Sequence, residues 1–459
     1  MVAKIWSSSA LLPQGWAESV EIRLDDEGNI AQVATDVTYS DGERAAVLVP
    51  GIANVHSHAH QRAMAGLGER AGQTAEGAKD SFWTWRKVMY HYLERIQPEH
   101  LFHICTQLYL EMLKAGYTCV GEFQYLHHAI DGTPYANRAE MSLQCMNAAA
   151  TVGLGFTALP VLYRYGGFGA AEPLASQKRF LNDSDDFVKI VDSLQAASKT
   201  DANTSVGIAP HSLRAISRSL LKDVINSCDD TLAAIHLHIA EQTREVDDCL
   251  AWSQQRPVDW LFDHFEVDHH WCLIHATHMS AEETAKMAKS GCIAGLCPTT
   301  EANLGDGFFN AVEYFNADGC WAIGSDSHIS IDPVEELRWL EYGQRLATRN
   351  RNVLVSTQQR NTGRNLLDGA LAGGAQACGR KIGRIESGYR GDFILLDDQH
   401  PRLYGRAEDD LIDSWIFSGN ANLVSSVYVG GEKVIDQGHH ANEEAIADNF
   451  RRTLDQLAN

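Results

Sequence analysis

The sequence predicts an α/β protein: a (β/α)8 TIM-type barrel with a small β-sandwich domain formed from both chain ends. Between about residues 49 and 380, apolar strand-like runs alternate with longer amphipathic stretches. Near-continuous apolar strands of this kind are typical of parallel sheets that helices cover on both faces, and eight of them indicate a barrel. The flanking segments are rich in turns and short strands, which is typical of a small β unit.

The strand candidates share an apolar, strand-like composition. They are Val47–His58, Thr118–Phe123, Gly155–Tyr163, Ser205–His211, Ala233–Ile239, Trp271–Ala276, Gly291–Cys297 and Trp321–Ser325. The predicted helices between them are Pro98–Ala115, Asn137–Thr151, Ser184–Ser198, Ser217–Ser227, Ala281–Lys289 and Pro333–Thr348. The tail adds strands at Phe393–Leu396 and Val424–Val429 and a helix at Glu443–Leu457. We therefore expect a barrel over 49–380 and a composite β domain from 1–48 plus 381–459.

Composition and charge exclude several classes of partner. The 459 residues are 44% hydrophobic and 21% charged, and the formal net charge of −22 argues against binding to nucleic acid or an acidic membrane. No run approaches the roughly 18 apolar residues of a membrane span, and we find no signal peptide. Ten scattered cysteines without a CxxC pair indicate a reducing, cytoplasmic location.

Groups able to bind a metal recur at the predicted strand ends, where barrels carry their functional residues. His56 and His58 lie two apart, so on a strand both side chains leave the same face. The fifth strand offers His238, the sixth His275 and the eighth Asp326. Imidazole or carboxylate at four separate strand ends predicts a metal centre.

The chemistry of these groups fits one divalent cation. His56, His58, His238 and Asp326 would supply three nitrogens and one oxygen and leave a position for water, a set that both zinc and ferrous iron accept. Such a cation lowers the pKa of water towards about 7. Glu241 and His275 then remain for proton transfer. The end of the fourth strand, 209–212, holds no lysine that could bridge two metals, which favours one.

Structural interpretations stay open beside the functional ones. The His56/His58 pair could be structural, Glu241 could begin a helix, and His275 could be a buried histidine with satisfied hydrogen bonds. We expect the remaining histidines near these strands to pack or to support ligands; they are His60, His236, His278 and His328. Two adjacent pairs, His127-His128 and His439-His440, are predicted to lie on the surface.

Five local strings resemble the amidohydrolase superfamily, in its branch with one metal and a catalytic Glu and His, and within it the formimidoylglutamate deiminases. The strings are 56–64 (HSHAHQRAM), 122–125 (EFQY), 209–214 (APHSLR), 236–242 (HLHIAEQ) and 324–328 (GSDSH). The resemblance implies hydrolysis of N-formimidoyl-L-glutamate to N-formyl-L-glutamate and ammonia, within histidine degradation. It also implies a homodimer that uses one divalent metal ion, zinc or alternatively ferrous iron.

The same resemblance implies roles for individual residues. Glu241 would carry a proton to the leaving nitrogen, His275 would polarise the reacting group, and Asp326 would take the proton of the attacking water. A small-molecule dicarboxylate substrate would be held by arginine and by other polar side chains. The residues implied for this contact are Gln61, Tyr125, His211, Arg214 and, from the aromatic segment 82–86, Arg86.

Two other functions remain open on the sequence. One is deamination of a nucleobase or related heterocycle on the same scaffold, and Arg214 with Gln61 and Tyr125 favours a dicarboxylate over a flat ring. The other is a non-catalytic scaffold that has lost the metal, against which the complete ligand set argues.

Overall fold

A computed structural model describes residues 4–69, 85, 89–90, 92–228 and 232–458. Its strands are β1 (Lys4–Leu12), β2 (Gly15–Leu24), β3 (Ile30–Ala34), β4 (Glu43–Pro50), β5 (Ile52–Ser57), β6 (Tyr117–Gln124), β7 (Gly155–Leu162), β8 (Thr204–Val206), β9 (Ala209–Pro210), β10 (Ile235–Ile239), β11 (Trp271–His275), β12 (Ile293–Leu296), β13 (Cys320–Ile323), β14 (Phe393–Leu396), β15 (Val424–Val429) and β16 (Glu432–Ile435).

The α-helices of the described chain lie mostly between the parallel strands. They are Pro98–Ala115, Glu140–Val152, Ser184–Ser198, Arg218–Ser227, Thr243–Ser253, Pro257–His264, Ala281–Ser290, Pro298–Leu304, Ala311–Asn316, Pro333–Thr348, Thr362–Ala377, Glu408–Phe417 and Glu443–Ala458. Local chemistry sets several of their starts. Ser280, for example, accepts a hydrogen bond from the amide of Glu283, whose side chain bonds back to the Ser280 amide.

Parallel strands form the centre of the molecule in two sheets, one running β5-β6-β7-β8 with β9 also on β7, the other β10-β11-β12-β13. Isolated parallel bridges join the sheets at both seams: Ser57 pairs with Asp326, and Ile208 pairs with Ile235. The strands β6 and β7 are buried along their whole length, as expected for strands covered on both faces. This arrangement is consistent with a TIM-type barrel.

A third sheet collects strands from both chain ends. Its order is β16-β15-β14-β4-β1-β2-β3, and within it β14 pairs antiparallel with β4. Alternate side chains divide between two hydrophobic clusters: Val47 and Val49 pack with the main core, whereas Leu48 packs with Phe393 in a smaller one. One face of the sheet is therefore joined to the barrel's core. The structure describes a single sheet here, and the sandwich arrangement stays a prediction.

Strand boundaries differ from the sequence prediction at two places. The predicted strand Val47–His58 is two strands, β4 in the terminal sheet and β5 in the barrel, with a break at Gly51, whose amide bonds to the carbonyl of Asp392. The predicted strand Ser205–His211 is likewise interrupted, as β8 and β9. In the first case a continuous apolar run concealed a change of hydrogen-bonding partner, whereas β8 and β9 both pair with β7.

No helix in the described part of the chain has the length and apolar character needed to cross a membrane. All ten cysteines are free thiols, eight of them buried.

Candidate metal centre and active site

Four side chains predicted as metal ligands converge at the ends of β5, β10 and β13. His56 Nε2 lies 3.0 Å from His238 Nε2 and 3.5 Å from Asp326 Oδ1, which is 3.3 Å from His58 Nε2. Zinc–nitrogen bonds of about 2.0–2.1 Å in a tetrahedral site place neighbouring ligand atoms roughly 3.3 Å apart. The observed separations therefore suit one small divalent cation.

Hydrogen bonds fix the tautomer and the ring orientation of two of these histidines. His58 Nδ1 lies 3.0 Å from the carbonyl oxygen of Phe123, and His238 Nδ1 lies 3.0 Å from that of His211. A carbonyl only accepts, so each Nδ1 carries the proton and each Nε2 keeps its lone pair for a metal. Burial lowers the pKa of His56 and His238 well below the usual range, which favours the neutral, ligating form.

The backbone is unusual where the strands end. Non-glycine residues at these ends have positive φ angles, between 47° and 67°; they are Ala240, His275, Ala276 and Asp326. Non-glycine residues in this region are uncommon and concentrate at functional sites, where they redirect the following side chain. Gly324 permits a close approach between two strands. A Cβ there would lie 2.8 Å from the His56 amide nitrogen, so only glycine lets β13 approach β5 this closely.

Next to the ligand cluster lies a buried pair of groups that can exchange protons. His275 Nε2 is 3.9 Å from Glu241 Oε1 and 3.8 Å from Asp326 Oδ2. Burial alone would lower the pKa of His275, but Glu241, Glu301 and Asp326 raise it to about 10, and burial raises the pKa of Glu241. A divalent cation would lower both values, because its charge disfavours added protons.

Two buried carboxylates had no role predicted from the sequence. Glu301, in the helix after β12, lies 3.3 Å from His275 Nδ1 through its Oε1. Glu122 accepts hydrogen bonds from the Ala59 amide at 2.8 Å and from the Ser57 hydroxyl, and so holds the turn that follows His58. An acid four residues beyond the end of the seventh strand was the available signal for Glu301.

Four residues predicted to bind substrate line the same cavity as the metal cluster; they are Gln61, Tyr125, His211 and Arg214. The Tyr125 hydroxyl is 3.2 Å from Gln61 Nε2 and 2.8 Å from His60 Nε2. The fifth, Arg86, lies outside the described residues, as do Phe82 and Trp83. Trp85 from that segment is described and lines the cavity.

A buried acid stands beside Arg214. Glu245 Oε2 lies 4.0 Å from Arg214 Nε, within ion-pair range but beyond hydrogen-bond distance. The pKa of Arg214 is raised: burial opposes this, and the nearby groups, of which Glu245 has the largest effect, together outweigh it. Arg214 therefore has a buried acid as a structural neighbour and also borders the cavity.

The structure also locates histidines that were predicted neither as metal ligands nor as catalytic groups. His236 bonds through Nε2 to the Ala377 carbonyl at 2.8 Å, and His328 bonds to the hydroxyls of Ser57 and Ser325 at 3.1 and 3.0 Å. The prediction that His127-His128 lie on the surface is wrong: they are 1% and 6% exposed. Both lie in the loop after β6, where the ring of His127 bonds to the carbonyl of Val161 and that of His128 to the carbonyl of Leu181. A polar dipeptide in the sequence did not reveal these contacts.

A buried His/Asp cluster at the ends of parallel strands defines a metal-dependent hydrolase, and the chain belongs to the amidohydrolase family, whose model matches residues 47–434. It is 47% identical over 457 residues to the formimidoylglutamate deiminase of Pseudomonas aeruginosa, covering 99% of this chain and 100% of that one.

The fold resembles that of solved structures. An amidohydrolase from Brucella melitensis superposes with a TM-score of 0.94 at 46% identity, with full coverage of both chains. An adenosine deaminase from Xanthomonas campestris with bound zinc superposes at 0.81 and 20% identity over 100% of this chain and 98% of that one, a likeness of fold alone.

Proposed function

We propose that this protein hydrolyses N-formimidoyl-L-glutamate to N-formyl-L-glutamate and ammonia, a step of histidine degradation. The observation that carries the proposal is a single cavity that joins the His/Asp cluster and its proton-transfer pair to Arg214. One end suits a small electrophilic carbon and the other suits a carboxylate. The full-length similarity to the Pseudomonas enzyme supports the same substrate.

The metal, one divalent cation, would be held by His56, His58, His238 and Asp326. When bound, it supplies Lewis acidity that makes water nucleophilic at neutral pH. We propose zinc, with ferrous iron as the alternative, because neutral imidazoles with one carboxylate suit both.

The chain's own groups then move the protons. Asp326 accepts a proton from the water that attacks the formimidoyl carbon. Glu241, 3.9 Å from His275 Nε2, delivers a proton to the imino nitrogen as the carbon becomes tetrahedral. Asp326 then passes the proton it accepted to the same nitrogen, and Glu241 regains a proton from the new hydroxyl group, so that the C–N bond breaks and ammonia departs. His275 donates a hydrogen bond to the reacting group, stabilising charge as the carbon becomes tetrahedral.

The glutamate part carries two carboxylates that need cationic or polar partners. Arg214 is suited to a bidentate grip on one of them. Gln61, Tyr125 and His211 are suited to the other, with Arg86 as a further candidate. Burial around this end strengthens such contacts, since little water competes for them.

The proposal extends to the domain organisation, the oligomeric state and the location of the protein. We propose that residues 49–380 act as the hydrolase barrel and that 1–48 with 381–459 act as a separate small β-sandwich domain. We also propose a homodimer in the cytoplasm that binds neither nucleic acid nor membrane.

The test measures ammonia release from N-formimidoyl-L-glutamate beside guanine, adenosine and cytosine, using protein of known metal content. We expect turnover of the formimidoyl compound alone. Turnover of a ring compound in its place would assign the protein to the heterocycle deaminases. Inactivity on all four substrates by metal-loaded protein would revive the non-catalytic scaffold.

A further inference from the structure

A carboxylate stands directly behind His275, on the side away from the metal cluster. It belongs to Glu301, in the first turn of the helix Pro298–Leu304. Glu301 Oε1 lies 3.3 Å from His275 Nδ1, and the two side chains are 6% and 1% exposed. Water therefore does not compete for this contact.

The position of Glu301 is fixed from two directions. Its Oε1 accepts a hydrogen bond from the Cys297 amide at 2.9 Å, so the carboxylate is tied to the end of β12. On the other side of the same helix, the amide and hydroxyl of Thr299 bond to Glu336 at 2.9 and 2.6 Å. The helix thus presents the Glu301 oxygen as a fixed acceptor rather than a mobile one.

We propose that Glu301 is a positioning residue that selects the tautomer and ring orientation of His275, an inference that rests on the proposed hydrolytic function. Glu301 Oε1 acts as an acceptor toward His275, so Nδ1 carries the hydrogen. Nε2 is then directed into the cavity, where Glu241 and Asp326 lie within 4 Å. A ring flipped about Cβ–Cγ would present carbon there instead and could not exchange protons.

The experiment compares three single variants in metal-loaded protein. Glu301→Leu removes the acceptor, and we expect kcat to fall about 10- to 100-fold with KM and metal content unchanged. Glu301→Gln keeps an oxygen for the Cys297 amide without the charge, and we expect a smaller fall in kcat. Glu336→Gln is the matched control: it keeps an acceptor oxygen for Thr299, so the helix stays in place, and Glu336 does not touch His275, so kcat stays near wild type.

A double-mutant cycle tests whether Glu301 acts through His275. In a His275→Asn background, Glu301→Leu should cause no further loss. A full additional loss there, or a kcat of Glu301→Leu within twofold of wild type, would overturn the proposal. Equal losses in Glu336→Gln would also overturn it, because the effect would then belong to the helix.

A readout without substrate separates this inference from the proposed function. In ¹⁵N-histidine-labelled protein, the signal absent from His275→Asn identifies the ring, and we expect wild type and Glu301→Gln to show a protonated Nδ1. Loss of that state in Glu301→Leu supports the proposal, and an unchanged state contradicts it. Wild-type inactivity on N-formimidoyl-L-glutamate would refute the function without altering this result.

Discussion

The two ends of the candidate cavity are built differently. At the metal end, side chains leave strand ends and most are held by a second contact: His58 and His238 each bond to a backbone carbonyl, and His275 bonds to Glu301. At the substrate end, the Tyr125 hydroxyl lies within hydrogen-bond distance of the side chains of His60 and Gln61. Backbone carbonyls therefore help to anchor the metal end, whereas these contacts at the substrate end join one side chain to another.

The largest expected effect follows from emptying the metal end. Removing the cation with a chelator should abolish ammonia release, because no remaining group supplies comparable Lewis acidity. Reloading with zinc or with ferrous iron, each followed by metal analysis and assay, should restore activity and rank the two metals. Full activity at less than about a tenth of an equivalent of metal would contradict the assignment.

Substitution of Glu241 comes next. Glu241→Gln keeps the shape of the side chain but cannot transfer the proton, so kcat should fall about 10²- to 10⁴-fold while metal content stays at the wild-type level. Glu336→Gln, a buried carboxyl outside the cavity, is the control. Normal turnover in Glu241→Gln would remove this residue from the mechanism.

The substrate end should respond in KM rather than in metal content. Arg214→Met removes a charged donor at similar length, and the loss of about 1.5–3 kcal/mol of binding corresponds to a rise in KM of roughly 10- to 150-fold. Because Glu245 would then lose its neighbouring charge, thermal stability is measured in parallel. Arg218→Met, an exposed arginine four residues along, controls for net charge. An unchanged KM would refute the carboxylate role.

The smallest effect is expected at Tyr125. Tyr125→Phe deletes one hydroxyl from a set of side-chain contacts, so KM should rise only about threefold to tenfold, with kcat nearly unchanged. Tyr314→Phe loses a buried hydroxyl that bonds to backbone carbonyls away from the cavity, and it should leave KM as it is. If kcat of Tyr125→Phe fell as far as that of Glu241→Gln, the predicted difference between the metal end and the substrate end would be wrong.

The sequence predicted which side chains meet at the metal end, but not the carboxylates that hold these side chains and the adjacent turn in place, and the reason is physical. His56, His58, His238 and Asp326 each lie at or just beyond the carboxyl end of an apolar strand, and the barrel's topology brings strand ends together whatever lies between. Glu301 gave no such pattern, because it sits within a helix. Glu122 lies near the end of β6, but its bonds to Ala59 and Ser57 could not be inferred from that position. Their importance comes from distances across the fold, which periodicity does not encode.

The predicted boundaries of one strand were wrong for a related reason. The run Val47–His58 reads as one strand because strands of both sheets are equally apolar. Only pairing distinguishes them, since Val49 pairs with Ile394 whereas Asn54 pairs with Val120. The helices that were predicted well, such as Pro98–Ala115, have a local start and stop: proline at the first position and Gly116 in the left-handed conformation at the end.

The direct passage from β4 into β5 has a consequence for how the protein is made. β4 needs β14 as a neighbour, and β14 begins only at Phe393, late in the chain. During synthesis, the strand that leads into His56 and His58 therefore keeps an unpaired edge until most of the polypeptide has emerged. Pairing over such a separation is slow, so the assembly of the terminal sheet sets when this edge ceases to be a risk for aggregation.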